Sequence, residues 1–134
     1  MEKSLNVLLV DDSQSLRQEL RRTFEELGHR VVGEAENGLE ALDLIKELKP
    51  DLVSLDIIMP EMDGIECYRI MRSLSNPPRC LLVSALADES RVIETYEAEI
   101  LGSHYVPKGS VNEVWEEKLK EVMLAPPLPL PEPS

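Results

Sequence analysis

Short apolar segments alternate along this chain with longer segments whose apolar residues recur every three or four positions. The apolar segments have the length of buried strands, and they cover residues 5–10, 30–35, 52–55, 80–83 and 103–106. The three-to-four spacing predicts helices over residues 15–27, 38–48, 65–74, 88–100 and 110–122. Each predicted strand is therefore followed by a predicted helix. This alternation is typical of an α/β fold, in which helices cover both faces of a parallel sheet through right-handed crossovers.

Capping residues and helix breakers mark the ends of these predicted helices. Either Ser13 or Ser15 can cap the first helix, which Gly28 ends, and Ser110 is placed to cap the last helix. The second helix is expected to bury a stripe made of Leu39, Leu42, Ile45 and Leu48. The last helix is expected to bury one face made of Val111, Val114, Trp115, Leu119 and Val122.

The composition is that of one folded domain with a short tail. The chain has 134 residues, of which 43% are hydrophobic and 30% charged, so it is long enough to bury a core. Residues 125–134 contain five prolines and can neither extend a helix nor join a sheet. We therefore expect one domain over residues 1–124 and a proline-rich tail over 125–134. The tail is either a loose terminus or a docking peptide for an aromatic groove.

The charge balance excludes some classes of partner. There are 26 acidic and 14 basic residues, and the net charge of −12 repels phosphate backbones, so direct nucleic-acid binding is not expected. No apolar run approaches the roughly 18 residues that a membrane span needs, so we expect a cytoplasmic protein without membrane insertion. Cys67 and Cys80 lack metal-ligand spacing and are predicted to be reduced thiols of the core.

Polar side chains follow four of the five predicted strands. In a parallel sheet the carboxyl ends of all strands lie on one edge, which is where ligands bind in open α/β sheets. That edge would collect Asp11 and Asp12, Asp56, Ser84 and Lys108. Three neighbouring carboxylates repel one another unless a divalent cation or the lysine neutralises them, and hard oxygen ligands suit Mg²⁺. The pattern predicts a site for a cation and a phosphoryl group together.

Taken singly, most members of this set have a simpler interpretation. Asp12 can cap the first helix, Ser84 can satisfy a backbone group at a strand end, and Lys108 can be a solvated loop residue. Asp56 is harder to explain in this way, because a buried strand rarely ends in an unpaired carboxylate. The joint arrangement favours the functional interpretation.

Together, these motifs resemble the receiver domain of bacterial two-component response regulators, including the single-domain chemotaxis type. The matching residues are Val10-Asp11-Asp12, Asp56 with residues 59–64 (MPEMDG), Ser84-Ala85, and Tyr105 three residues before Lys108. The resemblance covers about residues 5–123. It implies the flavodoxin-like, doubly wound (βα)5 fold with strand order 2-1-3-4-5.

The resemblance also implies a chemical role for the acidic residues. Asp56 would accept a phosphoryl group from a phosphohistidine on a histidine kinase or phosphotransfer protein. Asp12 and Asp56, with Asp11 through water and the backbone carbonyl of Ile58, would hold Mg²⁺. Lys108 and the cation would neutralise charge on the phosphoryl oxygens during transfer.

A second implication concerns output. Ser84 would bind the new phosphate and Tyr105 would turn inward, which changes the face formed by the helix predicted over 88–100, the fifth strand and the last helix. No effector domain follows Met123, so we expect output through a downstream protein target, or through a homodimer formed on that face. The protein would thus be a signalling switch and not a metabolic enzyme.

The chain departs from the family pattern around the lysine and near the phosphorylation motif. Pro107 precedes and Gly109 follows Lys108, whereas the family usually places proline directly after the lysine. Ile58 and Leu86 are apolar at positions where family members vary the group that positions attacking water, which predicts slow self-dephosphorylation.

Two alternatives remain at this point. One is a Mg²⁺-dependent phosphohydrolase with an aspartyl nucleophile, although Ile58 stands where its general acid-base is usually found. The other is a docking domain that keeps the fold without being phosphorylated, which only the unusual loop around Lys108 favours.

Overall fold

The computed structural model describes residues 4–56, 64–84 and 105–124. These ranges contain one five-stranded parallel sheet in the order β2-β1-β3-β4-β5. Its strands are β1 (Asn6–Val10), β2 (Arg30–Ala35), β3 (Leu52–Asp56), β4 (Arg79–Ser84) and β5 (Tyr105–Pro107). The predicted α/β class and strand order 2-1-3-4-5 are confirmed.

Four helices lie in the described ranges: α1 (Gln14–Glu26), α2 (Gly38–Leu48), α3 (Gly64–Arg72) and α4 (Asn112–Leu124). The helix α4 is the last of the five predicted helices. The helix predicted over 88–100 and the tail 125–134 lie outside the described residues. Within the described part of the chain, no helix is both long enough and apolar enough to cross a membrane.

Strand side chains alternate between two apolar layers, as the two-residue period of a strand requires. In β1, Leu8 and Val10 pack toward α2 and α3, whereas Val7 and Leu9 pack toward α1 and α4. The same alternation continues in β3 and β4. Helices therefore cover both faces of the sheet.

Aromatic and sulfur groups complete these layers. Phe24 of α1 and Trp115 of α4 meet edge to face, with ring centroids 5.4 Å apart. Cys67 and Cys80 are buried and not joined in a disulfide, and both belong to the core layer under α2 and α3, as predicted. Burial, with Cys67 nearby, raises the pKa of the Cys80 thiol well above its usual range, so Cys80 is held as an inert core thiol.

Three predictions about helix details are wrong. Leu39 is 54% exposed, because the buried stripe of α2 runs through Gly38, Ala41, Leu42 and Ile45 and passes one residue away from it. Val111 is 62% exposed, since it precedes α4 and its carbonyl accepts the first amides of that helix. Ser110 does not cap α4, because its hydroxyl donates to the carbonyl of Pro107 at 2.7 Å.

Candidate functional site

The register of the sheet brings three charged residues to one edge. Val10 pairs with Leu55, so Asp11, which directly follows β1, lies beside Asp56. Ser84 pairs with Pro107, so Lys108 stands one residue beyond the end of β4. The side chains of Asp11, Asp56 and Lys108 therefore meet where β1, β3 and β5 end, as the sequence predicted.

Two of these charged groups are buried. Asp11 is 1% exposed and Asp56 is 2% exposed, and the Lys108 ammonium stands at the rim with its side chain 25% exposed. Lys108 Nζ lies 3.4 Å from Asp11 Oδ2 and 3.4 Å from Asp56 Oδ1. One cation thus bridges two buried carboxylates, and Lys108 is not merely a solvated loop residue.

The pKa values of Asp11 and Lys108 are both raised, but for different reasons. Burial raises the pKa of the Asp11 carboxyl, and the Ser13 amide and the Lys108 ammonium counter only part of this effect. Burial alone would lower the pKa of Lys108, but the carboxylates of Asp56 and Asp11 outweigh it and raise the pKa. Burial therefore makes the charged form of Asp11 costly, whereas the two carboxylates stabilise the charged form of Lys108.

A short turn aims the lysine. Pro107 O accepts the Ser110 amide at 3.4 Å and the Ser110 hydroxyl at 2.7 Å, so residues 107–110 close on themselves. Gly109 has φ +83°, which only glycine adopts readily, and this is the third position of the turn. Lys108 reaches both carboxylates from this turn even though no proline follows it.

The acidic residues can share a metal ion. Asp11, Asp12 and Asp56 each offer a carboxylate oxygen, and these oxygens lie within 4.8 Å of one another. Asp12 is exposed, and Asp11 Oδ2 forms an ion pair with Lys108 but accepts no well-aligned hydrogen bond from the described residues. Hard oxygen donors with one solvent-facing side suit Mg²⁺, which binds one or two carboxylates and keeps several waters. The residues present therefore fit the predicted cation.

The helix that follows β1 constrains these acids. Ser13 caps α1 by accepting the Leu16 amide at 3.3 Å, so Asp12 is not needed as the cap. The Ser13 amide in turn donates to Asp11 Oδ1 at 2.8 Å. One serine thus starts the helix and orients the buried carboxylate.

Arg17 also acts at this edge, and it was missing from the residues singled out in the sequence. Its Nη1 donates to the backbone carbonyl of Asp11 at 2.5 Å, and its Nε donates to Glu34 Oε1 at 2.9 Å. Arg17 is only 7% exposed. The sequence contained one indication that Arg17 is buried, which is its helical spacing from Leu20 and Phe24. The structure shows that all three are buried.

The remaining predicted site residues are only partly described. Ser84 ends β4 and Tyr105 begins β5, but the structure describes their backbones and not their side chains. Ile58 and Leu86 lie outside the described residues, as do residues 59–63 of the MPEMDG motif. The roles assigned to Ser84, Tyr105 and Ile58 stay predictions.

Comparison with known proteins identifies the family. Residues 7–119 match the family model described as response regulator receiver domain. The chemotaxis protein CheY of Thermotoga maritima is 40% identical over 92 residues, which are 69% of this chain and 77% of that protein. A chain of the CheX–CheY–BeF3–Mg²⁺ complex from Borrelia burgdorferi has the same fold, with a TM-score of 0.77 and 27% identity. This match covers 90% of each chain.

Similarity also extends to part of some larger enzymes. The protein-glutamate methylesterase/protein-glutamine glutaminase 3 of Hahella chejuensis is 38% identical over 121 residues. The match covers 89% of this chain but 35% of that protein, so the chain spans about a third of its length and corresponds to the receiver part alone. This chain belongs to the family of response regulator receiver domains, which are signalling domains.

Proposed function

We propose that this protein is a phosphorylation-activated switch in which Asp56 accepts a phosphoryl group from a phosphohistidine with the help of Mg²⁺. The observation that carries this proposal is the position of Lys108 Nζ, 3.4 Å from a carboxylate oxygen of both Asp56 and Asp11. A cation held there can bind the oxygens of a phosphoryl group on Asp56. Transfer of such a group depends mainly on positioning and charge neutralisation.

The three acids would have different roles. Asp56 ends a buried strand and offers its carboxylate as the nucleophile. Asp11 and Asp12, with Asp56 and the carbonyl of Ile58, would hold the Mg²⁺, which supplies charge neutralisation at the phosphoryl oxygens. The BeF3 and Mg²⁺ in the similar Borrelia burgdorferi complex support a metal site in this fold.

We also propose how the phosphoryl group changes the surface. Ser84 ends β4, one residue past the Val83 that pairs with Asp56, and we propose that it binds the phosphoryl group. Tyr105 begins β5, three residues before the bridging lysine. Movement of these two groups would alter the face that contains β5 and α4, and with it the affinity for a protein target.

The proposed partners follow from this scheme. A histidine kinase or phosphotransfer protein supplies the phosphoryl group, and a downstream protein reads the altered face, which can also pair two copies of the chain. The proposed receiver domain covers residues 1–124, and the proline-rich segment 125–134 is proposed as a tail. The family match over residues 7–119 supports this division.

Phosphorylation by a small donor tests the proposal without the unknown kinase. The protein is mixed with acetyl phosphate with and without Mg²⁺, and intact mass is measured for the wild type, Asp56→Asn and Asp51→Asn. We expect one added phosphoryl group that requires Mg²⁺, is absent in Asp56→Asn and is retained in Asp51→Asn. Asp51 is the matched control because it flanks the other end of the same strand.

The opposite pattern would refute the switch. An adduct that survives Asp56→Asn would place the chemistry elsewhere. A folded wild type that binds Mg²⁺ and yields no adduct would favour the docking domain that is never phosphorylated.

A further inference from the structure

A nearly buried arginine links the metal-binding loop to the neighbouring strand. Arg17, on α1, donates through Nη1 to the carbonyl of Asp11 at 2.5 Å and through Nε to Glu34 Oε1 at 2.9 Å. Its Nη2 also lies 3.9 Å from Glu36 Oε1, just after β2. A single planar group therefore joins α1, the end of β1 and β2, which is a geometry that a guanidinium provides and an ammonium does not.

The bond to Asp11 acts on the backbone of a proposed metal ligand. The Asp11 amide donates to the Ala35 carbonyl at 3.1 Å, and the Ser13 amide fixes the Asp11 carboxylate. The Arg17 bond holds the remaining backbone group of Asp11, its carbonyl, and so fixes the peptide that leads into Asp12. Outer groups that orient metal ligands commonly change metal affinity by about 10- to 100-fold when removed.

Glu34 binds a second arginine, Arg21, and this allows the bond from Arg17 to Asp11 to be distinguished from the pairing of Arg17 with Glu34. Arg21 lies beside Glu34 as well, with Nη2 2.7 Å and Nε 3.2 Å from Glu34 Oε2. The pKa of the Glu34 carboxyl is lowered, chiefly by its hydrogen bond with Arg21 and also by Arg17. Removing Arg17 therefore leaves Glu34 paired with Arg21, and of the groups that Arg17 contacts only the Asp11 carbonyl belongs to a proposed metal ligand.

We propose that Arg17 is a positioning residue, which holds the Asp11–Asp12 peptide so that both carboxylates can bind the divalent cation. This inference rests on the proposed Mg²⁺ site. It predicts that loss of Arg17 weakens Mg²⁺ binding, although the substitution removes a positive charge from the vicinity of a cation site. A purely electrostatic role predicts the opposite sign, because removing a nearby positive charge strengthens cation binding.

The test compares two arginines that share one carboxylate. The Kd for Mg²⁺ is measured by isothermal titration calorimetry for the full chain and for Arg17→Met and Arg21→Met. The temperature is one at which circular dichroism shows each variant to be fully folded. We expect Arg17→Met to weaken Mg²⁺ binding about tenfold or more. Arg21→Met removes the same charge but no bond to Asp11, so its Kd is expected to stay within about twofold of the wild type.

A conservative variant guards against failure to fold. Arg17→Lys keeps the charge, but an ammonium cannot reach both Asp11 and Glu34 in the same geometry. We expect it to bind Mg²⁺ several-fold more weakly than the wild type and more tightly than Arg17→Met, by analogy with other groups behind metal ligands.

An unchanged or tighter Kd in Arg17→Met, or an unchanged Kd in Arg17→Lys if the methionine variant does not fold, would overturn the inference. Equal weakening by Arg21→Met would overturn it too, since the bond to Asp11 would then be irrelevant. These outcomes are read against a wild type that binds Mg²⁺. A wild type that does not bind Mg²⁺ would instead refute the proposed metal site itself.

Discussion

Two aspartates flank the same strand and have different surroundings. Asp51 precedes β3, and its Oδ2 accepts the Asn6 amide at 2.8 Å, while its own amide donates to the Asn6 carbonyl at 2.8 Å. Asp56 ends β3, is 2% exposed, and faces Asp11, Asp12 and the ammonium of Lys108. The first is satisfied by a neighbouring backbone, whereas the second lies among other charged side chains.

The neighbours at the two ends of the strand explain this difference. At the amino edge the backbone of Asn6 lies beside Asp51 and donates its amide to the Asp51 carboxylate. At the carboxyl edge the residues that follow β1 and β5 lie beside Asp56, and these are Asp11, Asp12 and Lys108. A buried carboxylate among other carboxylates needs a cation to offset the repulsion, which Lys108 supplies here and a bound metal would supply as well.

Removing the lysine should give the largest effect of the three changes that probe this comparison. In Lys108→Met, the developing charge on the phosphoryl oxygens loses the ammonium that lies beside Asp11 and Asp56, and removal of one such group typically costs about 10²-fold in rate. We expect the rate of phosphorylation by acetyl phosphate, followed by mass spectrometry, to fall by about that factor.

Lys46→Met is the matched control for Lys108→Met. Lys46 is exposed and lines a cavity with Asp51 at the amino edge. The Lys46→Met variant is expected to be phosphorylated at the wild-type rate. An equal loss of rate in both variants would mean that overall charge matters and not the position of Lys108.

Neutralising one acid at each edge should change stability in opposite directions. In metal-free buffer, Asp11→Asn removes a buried charge beside two other carboxylates and is expected to raise the free energy of unfolding by about 1 kcal/mol at pH 7. Asp51→Asn weakens a charge-assisted bond to the Asn6 amide and is expected to lower it by about 0.5 kcal/mol. Urea denaturation measures both, and destabilisation by Asp11→Asn would contradict the account of this edge.

The stability change in Asp11→Asn should also depend on pH. Because burial raises the pKa of Asp11 above 3.8, the folded state binds the extra proton, and the stability of the wild type falls as pH rises from about 3.8 to the folded pKa. The asparagine variant lacks this term. We expect the stability gained by Asp11→Asn in EDTA to be smallest at the acid end of this window and to level off above it. A gain that does not vary with pH would contradict the assigned shift.

Much of the site could be predicted from sequence because parallel strands fix it. Once five strands are recognised, their carboxyl ends share an edge, and residues directly after them, such as Asp11 and Lys108, are brought together without any knowledge of side-chain packing. The strand order came from the family resemblance, and the structure agrees with it.

Other features depend on packing that the sequence pattern does not encode. Nothing in Asp11-Asp12 says which acid is buried, because that depends on how Ser13 starts α1. In the sequence, Arg17 cannot be distinguished from other helix arginines. Only the fold brings it into contact with Glu34 of β2, which lies 17 residues later in the chain. Ser110 was predicted to cap the last helix, but its hydroxyl donates to the Pro107 carbonyl within the turn around Gly109.

The central claim is that the convergence at the carboxyl edge makes Asp56 the phosphoryl acceptor. The most direct measurement is to trap the acyl phosphate with borohydride after treatment with Mg²⁺ and acetyl phosphate, and to identify the reduced residue by peptide mass spectrometry. The account predicts a single modified aspartate at position 56, with Asp11, Asp12 and Asp51 unchanged. Modification at any of those three residues, with Asp56 intact, would contradict it.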